Sequence, residues 1–182
     1  MTFEKTVTLK DGRNCLLRNG VTSDGKAVLD VFNRTHEETD YLLTYSDENC
    51  FTASQEADFL QRKTDSTNTV EIIAFVDGVV AGTAGIDALG MRDKIKHRAV
   101  FGIAITKEFW GLGIGKSLME ACIECAREAG YLQLELEVVA ENERAVEMYR
   151  RAGFIEYGRN PKAFRLRTGE YQELIDMRLE LK

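Results

Sequence analysis

The chain has 182 residues, 44% of them hydrophobic and 30% charged, which suits one well-buried core and leaves little for a second. Its 30 acidic residues against 24 basic ones leave a net charge of −6, which argues against non-specific binding to nucleic acid or to anionic membranes. The opening MTFEKTVTLKDGR has no apolar core of signal-peptide length, and no later run approaches a membrane span, so a single cytoplasmic domain over residues 1–182 is expected.

Two short strands, VTLK and NCLLRN, flank an Asp11-Gly12 turn. Ser23 and Asp24 then offer a cap for a helix reaching to about Thr39, with Ala27, Val28, Val31, Phe32 and Thr35 on its inner face. A second helix is predicted from Ser54, as its cap, to about Lys63, with Ala57, Phe59 and Leu60 turned inward. The connection between these helices gathers Glu37, Glu38, Asp40, Asp47 and Glu48 around Tyr41 and Tyr45. That mixture reads either as a solvated linker or as a surface for a cationic amine. Val70–Phe75 and Val79–Leu89 are strands joined through Asp77-Gly78, a strong hairpin signal. Ala81, Gly82, Ala84 and Gly85 in the second of them leave room for a close backbone or ligand.

Val100 to Ile105 reads as a buried strand, and the loop Trp110-Gly-Leu-Gly-Ile-Gly115 carries it into a helix with apolar residues at 114, 118, 122, 125, 126 and 129. Strand, glycine loop and helix form an architecture for holding phosphate, because bare backbone and the free amides of the first helical turn approach the anion together. Two phosphate motifs fail on spacing. A P-loop needs glycine where Trp110 stands, and G-x-G-x-x-G needs glycine at Lys116 or Leu118. Gly130 ends the helix, Leu132–Val139 forms a strand, and Asn142 caps a helix with Ala145, Val146, Tyr149 and Ala152 inward. After Gly153 come two last strands, about Ile155 to Arg167 and Tyr171 to Leu181, the first interrupted by Pro161. Cys122 and Cys125 lie on the core stripe of their helix with no second Cys/His pair, and His36 and His97 show no ligand spacing, so no metal site is expected. The element order implies a mixed α/β fold with a central, mostly antiparallel sheet and helices on both faces.

The glycine loop resembles the acyl-CoA loop of the GNAT superfamily of N-acetyltransferases, whose pattern is Gln/Arg-x-x-Gly-x-Gly/Ala at a helix start. Gly113 and Gly115 match its glycines, while Trp110 stands where Gln or Arg is usual. A second segment agrees: Asn142, Ala145, Tyr149, Gly153 and Phe154 fill all five positions of Asn-x-x-Ala-x-x-x-Tyr-x-x-x-Gly-Phe. Asn142 and Tyr149, two helical turns and roughly 10 Å apart, share one stripe. The element order is also that of the superfamily, so the resemblance spans almost the whole chain.

The resemblance implies acetyl-CoA as co-substrate and a primary amine, on a small molecule, as acceptor. It assigns the pantetheine arm to the backbone of Ile103, Ala104 and Ile105 and to Asn142 and Ala145. It assigns the pyrophosphate to Leu112, Gly113, Ile114, Gly115, Lys116 and Ser117, the oxyanion to the Ile105 amide, and protonation of the leaving thiolate to Tyr149. Residues 97–105 hold no carboxylate, so the base must come from elsewhere. Glu38 is the candidate, with Glu37, Glu71, Glu137 or a water relay as alternatives. A protein N-terminus or lysine is the other acceptor class, and a non-catalytic acyl-CoA binder is the rival function. Exposed strand edges at the tail make a homodimer plausible.

Overall fold

The computed structural model describes residues 1–181; Lys182, the last residue of the expected domain, lies outside the described residues. Eight strands form one sheet in the order β1-β2-β3-β4-β5-β6-β8-β7. They are β1 (Glu4–Thr8), β2 (Asn14–Asn19), β3 (Val70–Val76), β4 (Val79–Ala88), β5 (Arg98–Ile105), β6 (Gln133–Val139), β7 (Ile155–Arg165) and β8 (Tyr171–Glu180). Helices α1 (Gly25–Glu38) and α2 (Ala53–Asp65) cover one face, and α3 (Ile114–Glu128) and α4 (Glu143–Arg151) the other. The α3/α4 side holds the larger core, including Ile72, Phe101, Leu118, Leu134, Tyr149 and Met177. The α1/α2 side has a smaller one of Val28, Leu60, Ile73 and Val80. Among the described residues no helix is long and apolar enough to cross a membrane.

Every neighbouring pair of strands is antiparallel except β5 and β6. That parallel contact is short, running only from Arg98↔Gln133 to Val100↔Glu135. Beyond it β5 stays paired with β4 as far as Gly82↔Ile105, while β6 stays paired with β8 as far as Val139↔Leu174. The two strands therefore diverge, and the sheet opens into a cleft. On the α1/α2 face, Arg98 and Glu135 pin the point of divergence with a two-pronged ion pair, its Nη2–Oε2 arm 2.7 Å long.

Four local details differ from expectation, the first being that the opening strand is Glu4–Thr8 and not VTLK at 7–10. The second helix is capped by Thr52, not Ser54. Thr52 Oγ1 accepts the Gln55 amide at 3.3 Å and Gln55 Oε1 accepts the Thr52 amide at 2.8 Å, a reciprocal box spelled by T-x-x-Q. Asp24 holds a 3-10 turn over Thr22–Asp24 ahead of α1, accepting the Val21 amide at 2.9 Å. Pro161 lies inside β7, at a bulge between Asn160 and Phe164 on the sheet's outer edge, where a missing N–H breaks no ladder. Cys15, Cys122 and Cys125 are buried free thiols, and burial pushes the Cys125 thiol up to about 12.

Candidate active site

The cleft begins with the backbone of β5. Leu89 N–H donates to Arg98 C=O at 3.0 Å, and Thr106 N–H to Ala81 C=O at 3.1 Å, which fixes the alternation of the β4–β5 ladder. Arg98, Val100, Gly102 and Ala104 turn their polar groups to β4, while Phe101, Ile103 and Ile105 turn theirs to the diverging side. Ile103 and Ile105 thus present the open strand edge expected of them. Ala104 does not, because its N–H and C=O face Thr83. One group on that edge is already used: Trp110 Nε1 donates to Ile105 C=O at 2.6 Å. This is what tryptophan does at that position. Its indole fastens the glycine loop to the end of β5, with Lys107 Nζ and Arg144 Cζ 5.8 and 5.9 Å from its ring.

The loop closes on the N-terminus of α3. Gly111 and Gly113 have φ of 88° and 101°, a left-handed conformation that side chains rarely adopt. A Cβ on Gly113 would meet nothing within 4 Å, so this glycine faces open space. A Cβ on Gly115 would lie 3.1 Å from Met148 Sδ and 3.4 Å from Ile105 Cδ1, which seats the helix start against both α4 and β5. The amides of Ile114, Gly115 and Lys116 precede the first intrahelical bond and point out of the helix end. Ser117 N–H is spent on Gly113 C=O at 3.2 Å, and Leu112 C=O accepts Lys10 N–H at 3.1 Å. Lys116 projects into solvent and pairs with Glu120 at 3.6 Å. Arg144, which no sequence motif singles out, brings Nη2 within 3.0 Å of where a Gly111 Cβ would sit. With Lys107 it brings positive charge to the loop.

Helix α4 supplies the other wall. Asn142 Oδ1 accepts the Ala145 amide at 3.3 Å, so it serves as the helix cap and Ala145 as its partner. Tyr149 is 5% exposed, its ring 6.1 Å edge-on from Phe101 of β5 and 5.8 Å from Phe154. Among the described residues nothing hydrogen-bonds its hydroxyl, which is not one of the sealed buried atoms and so opens onto accessible space, and burial of the ring pushes the phenol well above its ordinary value.

Glu38 ends α1 beside the turn that follows β5. Its Oε1 accepts Arg34 Nε at 2.9 Å and its Oε2 accepts the Lys107 amide at 2.6 Å, tying the end of α1 to the turn after β5. Both of its oxygens are thus engaged by donors. The connection that follows is docked, not loose. Arg167, beyond β7, stacks over Tyr45 at 4.0 Å and bonds both Asp47 oxygens at 2.9 and 2.7 Å, while its amide donates to Tyr45 Oη at 3.0 Å. The acid–aromatic segment therefore reaches from α1 to the β7–β8 turn and roofs the cleft on the α1/α2 face.

Beneath that roof the sheet is bare. Gly85 and Gly102 face each other across β4 and β5, and a Cβ on Gly102 would meet nothing within 4 Å. The place of a Gly85 Cβ is taken by Glu71 Oε2. Lys63 of α2 sits between Glu71 Oε2 at 3.3 Å and Asp87 Oδ2 at 2.6 Å, and these carboxylates hold it charged despite its burial.

A strand edge left open beside a glycine-capped helix end, with a buried tyrosine on the opposite wall, is the arrangement of an acyl-CoA-dependent acyltransferase. The comparisons with known proteins agree. The model of the acetyltransferase (GNAT) family matches residues 28–154. An L-amino acid N-acetyltransferase of Escherichia coli, AaaT, is 32% identical over 118 residues, covering 64% of this chain and 72% of that one. A GNAT-family acetyltransferase structure from Streptococcus pneumoniae superposes with a TM-score of 0.87 at 28% identity, covering 91% of this chain and 99% of the other. The structure of yncA, a putative acetyltransferase from Salmonella typhimurium with its cofactor acetyl-CoA, shares the fold with a TM-score of 0.82 at 17% identity, covering 93% and 95%. The chain belongs to the acetyltransferase (GNAT) family.

Proposed function

We propose that this chain transfers an acetyl group from acetyl-CoA to a primary amine on a small molecule. The observation that carries the reading is the juxtaposition, along one cleft, of β5's unpaired edge and the free amides at the N-terminus of α3. The residues present fit the co-substrate: a Cβ-free opening at Gly113, free amides from Ile114 to Lys116, and Arg144 at the loop suit a pyrophosphate. The groups of Ile103 and Ile105 suit an amide-bearing arm laid down as an added strand, with the Asn142 side chain bordering it. When bound, acetyl-CoA supplies an acyl thioester.

This reading sets the reacting end beside Phe101, against which the Tyr149 ring packs. Ile105 is about 7 Å further along the strand than Ile103 and leans on Gly115 at the phosphate end. The Ile103 amide is therefore the better oxyanion donor, with the Ile105 amide holding the arm. Tyr149 gives its proton to the departing thiolate. A phenol near 10 donating to a thiolate near 8.5 is uphill by about 2 kcal/mol, and burial adds to that, so the transfer accompanies C–S cleavage and does not precede it. The roof over the opposite face favours a small acceptor over a protein segment, and the Escherichia coli relative, named for L-amino acids, is of that class.

Calorimetric titration with acetyl-CoA, with ATP as control, tests this directly. Binding near one site per chain with ATP silent supports it; folded protein that binds neither refutes it.

A further inference from the structure

The connection between α1 and α2 is fastened on both sides of the opening between β5 and β6. On the β5 side, Glu38 Oε2 accepts the Lys107 amide at 2.6 Å and Arg34 Nη1 reaches Glu108 Oε1 at 2.7 Å, so the end of α1 is tied to the turn after β5. On the other side, the Arg167 guanidinium bonds both Asp47 oxygens and lies over the Tyr45 ring, while the Arg167 amide donates to Tyr45 Oη. Arg167 stands in the turn that leads into β8, and β8 is the strand paired with β6 out to Val139↔Leu174, where β6 has left β5. The chain from Thr39 to Asp47 thus bridges the splayed ends of the sheet as a strap.

The two fastenings differ in kind. The first is built onto a 14-residue helix. The second joins a turn to a turn, through Arg167 and Asp47 side chains 56% and 64% exposed, and an exposed ion pair is weak and screened by salt. Among the described residues, 39–51 hydrogen-bond otherwise only to one another and to Asn33 of α1. With the Arg167 clasp released, the connection is held by α1 alone. Below the strap, Gly102 leaves the floor of the sheet open.

We propose that this clasp is the latch of the acceptor entrance and that Arg167 sets acceptor size. Closed, the strap leaves room over Gly102 for a small amine; open, it admits a longer chain. The inference rests on the acetyl-transfer reading and adds to it the residue that limits the acceptor. Arg167 acts through Tyr45 and Asp47, as a positioning residue. Its planar fork holds two oxygens and stacks on a ring at once, which a lysine cannot do.

The test reads the opening first without any acceptor. Gly102→Cys sets a thiol on the floor, in a chain with Cys50→Ser, whose other cysteines, 15, 122 and 125, are buried. That thiol is timed against N-ethylmaleimide and a polyethylene-glycol maleimide, one chemistry at two sizes. Adding Arg167→Ala should speed the large reagent about tenfold and the small one less than about twofold. The exchanged pair, Arg167→Asp with Asp47→Arg, should slow the large reagent again, and high salt should mimic Arg167→Ala. Equal speeding of both reagents, as general loosening would give, or an unchanged rate for the large one, overturns the inference. In thiol-release assays on the chain with native Gly102 and Cys50, Arg167→Ala should raise kcat/KM for tetraalanine amide about tenfold relative to n-butylamine, through KM and with the n-butylamine kcat kept. An unchanged ratio overturns it as well. Failure of wild-type protein to bind acetyl-CoA removes the reading beneath, while the maleimide rates still decide the latch.

Discussion

Replacing Tyr149 by phenylalanine separates an acetyltransferase from a protein that merely binds acyl-CoA. The substitution deletes one oxygen and keeps a ring packed 6.1 Å from Phe101 and 5.8 Å from Phe154. Among the described residues that oxygen has no hydrogen-bond partner, so unfolding free energy should change by no more than about 0.5 kcal/mol in urea titrations. The chemical step should suffer far more. Loss of a positioned general acid costs about 10²–10⁴ in kcat, about 3–5 kcal/mol of barrier. The assay is thiol release at saturating acetyl-CoA, with calorimetry on the same preparations to show that the acetyl-CoA Kd is retained. Because burial raises the phenol, wild-type kcat should show no basic limb from Tyr149 below about pH 10. A Tyr149→Phe variant with wild-type kcat, or one whose loss is matched by lost acetyl-CoA affinity, refutes the assignment.

Two further outcomes concern the face beneath α1 and α2. Gly85→Ala would place a methyl where Glu71 Oε2 lies and only 2.8 Å from Val70 C=O, disturbing the Lys63 ion pairs. Denaturant unfolding should register a loss of about 2–4 kcal/mol, and Gly102→Ala, with nothing within 4 Å of its new methyl, should lose far less. Glu56 makes stability depend on pH in a set direction. Its carboxyl is raised from 4.5 to about 7 in the folded chain, so its ionisation opposes folding. Stability from this group is full below about 4.5, falls as pH rises towards about 7, and is constant beyond. After discounting for solvent screening the fall is on the order of 1–2 kcal/mol, and a stability–pH profile of Glu56→Gln should lack it.

The fold was legible wherever one residue's chemistry decides a local conformation. Asn142 caps α4, Gly113 takes the left-handed turn before α3, and Asp77-Gly78 closes the β3–β4 hairpin. The expected cap at Ser54 fell two residues late because a reciprocal box, Thr52 with Gln55, outweighs a lone serine. The site was legible in part. Glycine spacing and the Asn142–Tyr149 stripe point to the cleft, but no sequence pattern says that β5 leaves β6 after Val100, since that depends on how β8 draws β6 away. Arg144 and Glu56 carry no signal in the sequence for the same reason. A charge on a helix reads as solvated until the tertiary fold shows what it faces, and Glu56 is turned inward by the stripe it shares with Leu60 and Lys63. Glu38 stood out by its acidic neighbours, yet in the folded chain Arg34 and the Lys107 amide claim both its oxygens.

The three-residue contact between β5 and β6 gives the chain a spectroscopic signature of its own. Past the parallel contact, which still engages the Phe101 amide, the amides of β5 lead alternating lives: those of Gly102 and Ala104 are locked onto β4, while those of Ile103 and Ile105 look into the cleft. Amide hydrogen exchange along 102–105 should therefore rise and fall with a period of two residues, fast at odd positions and slow at even ones. Any molecule that pairs with this edge flattens the pattern without displacing a strand, so the rhythm of exchange counts, bond by bond, how much of the missing strand has been supplied.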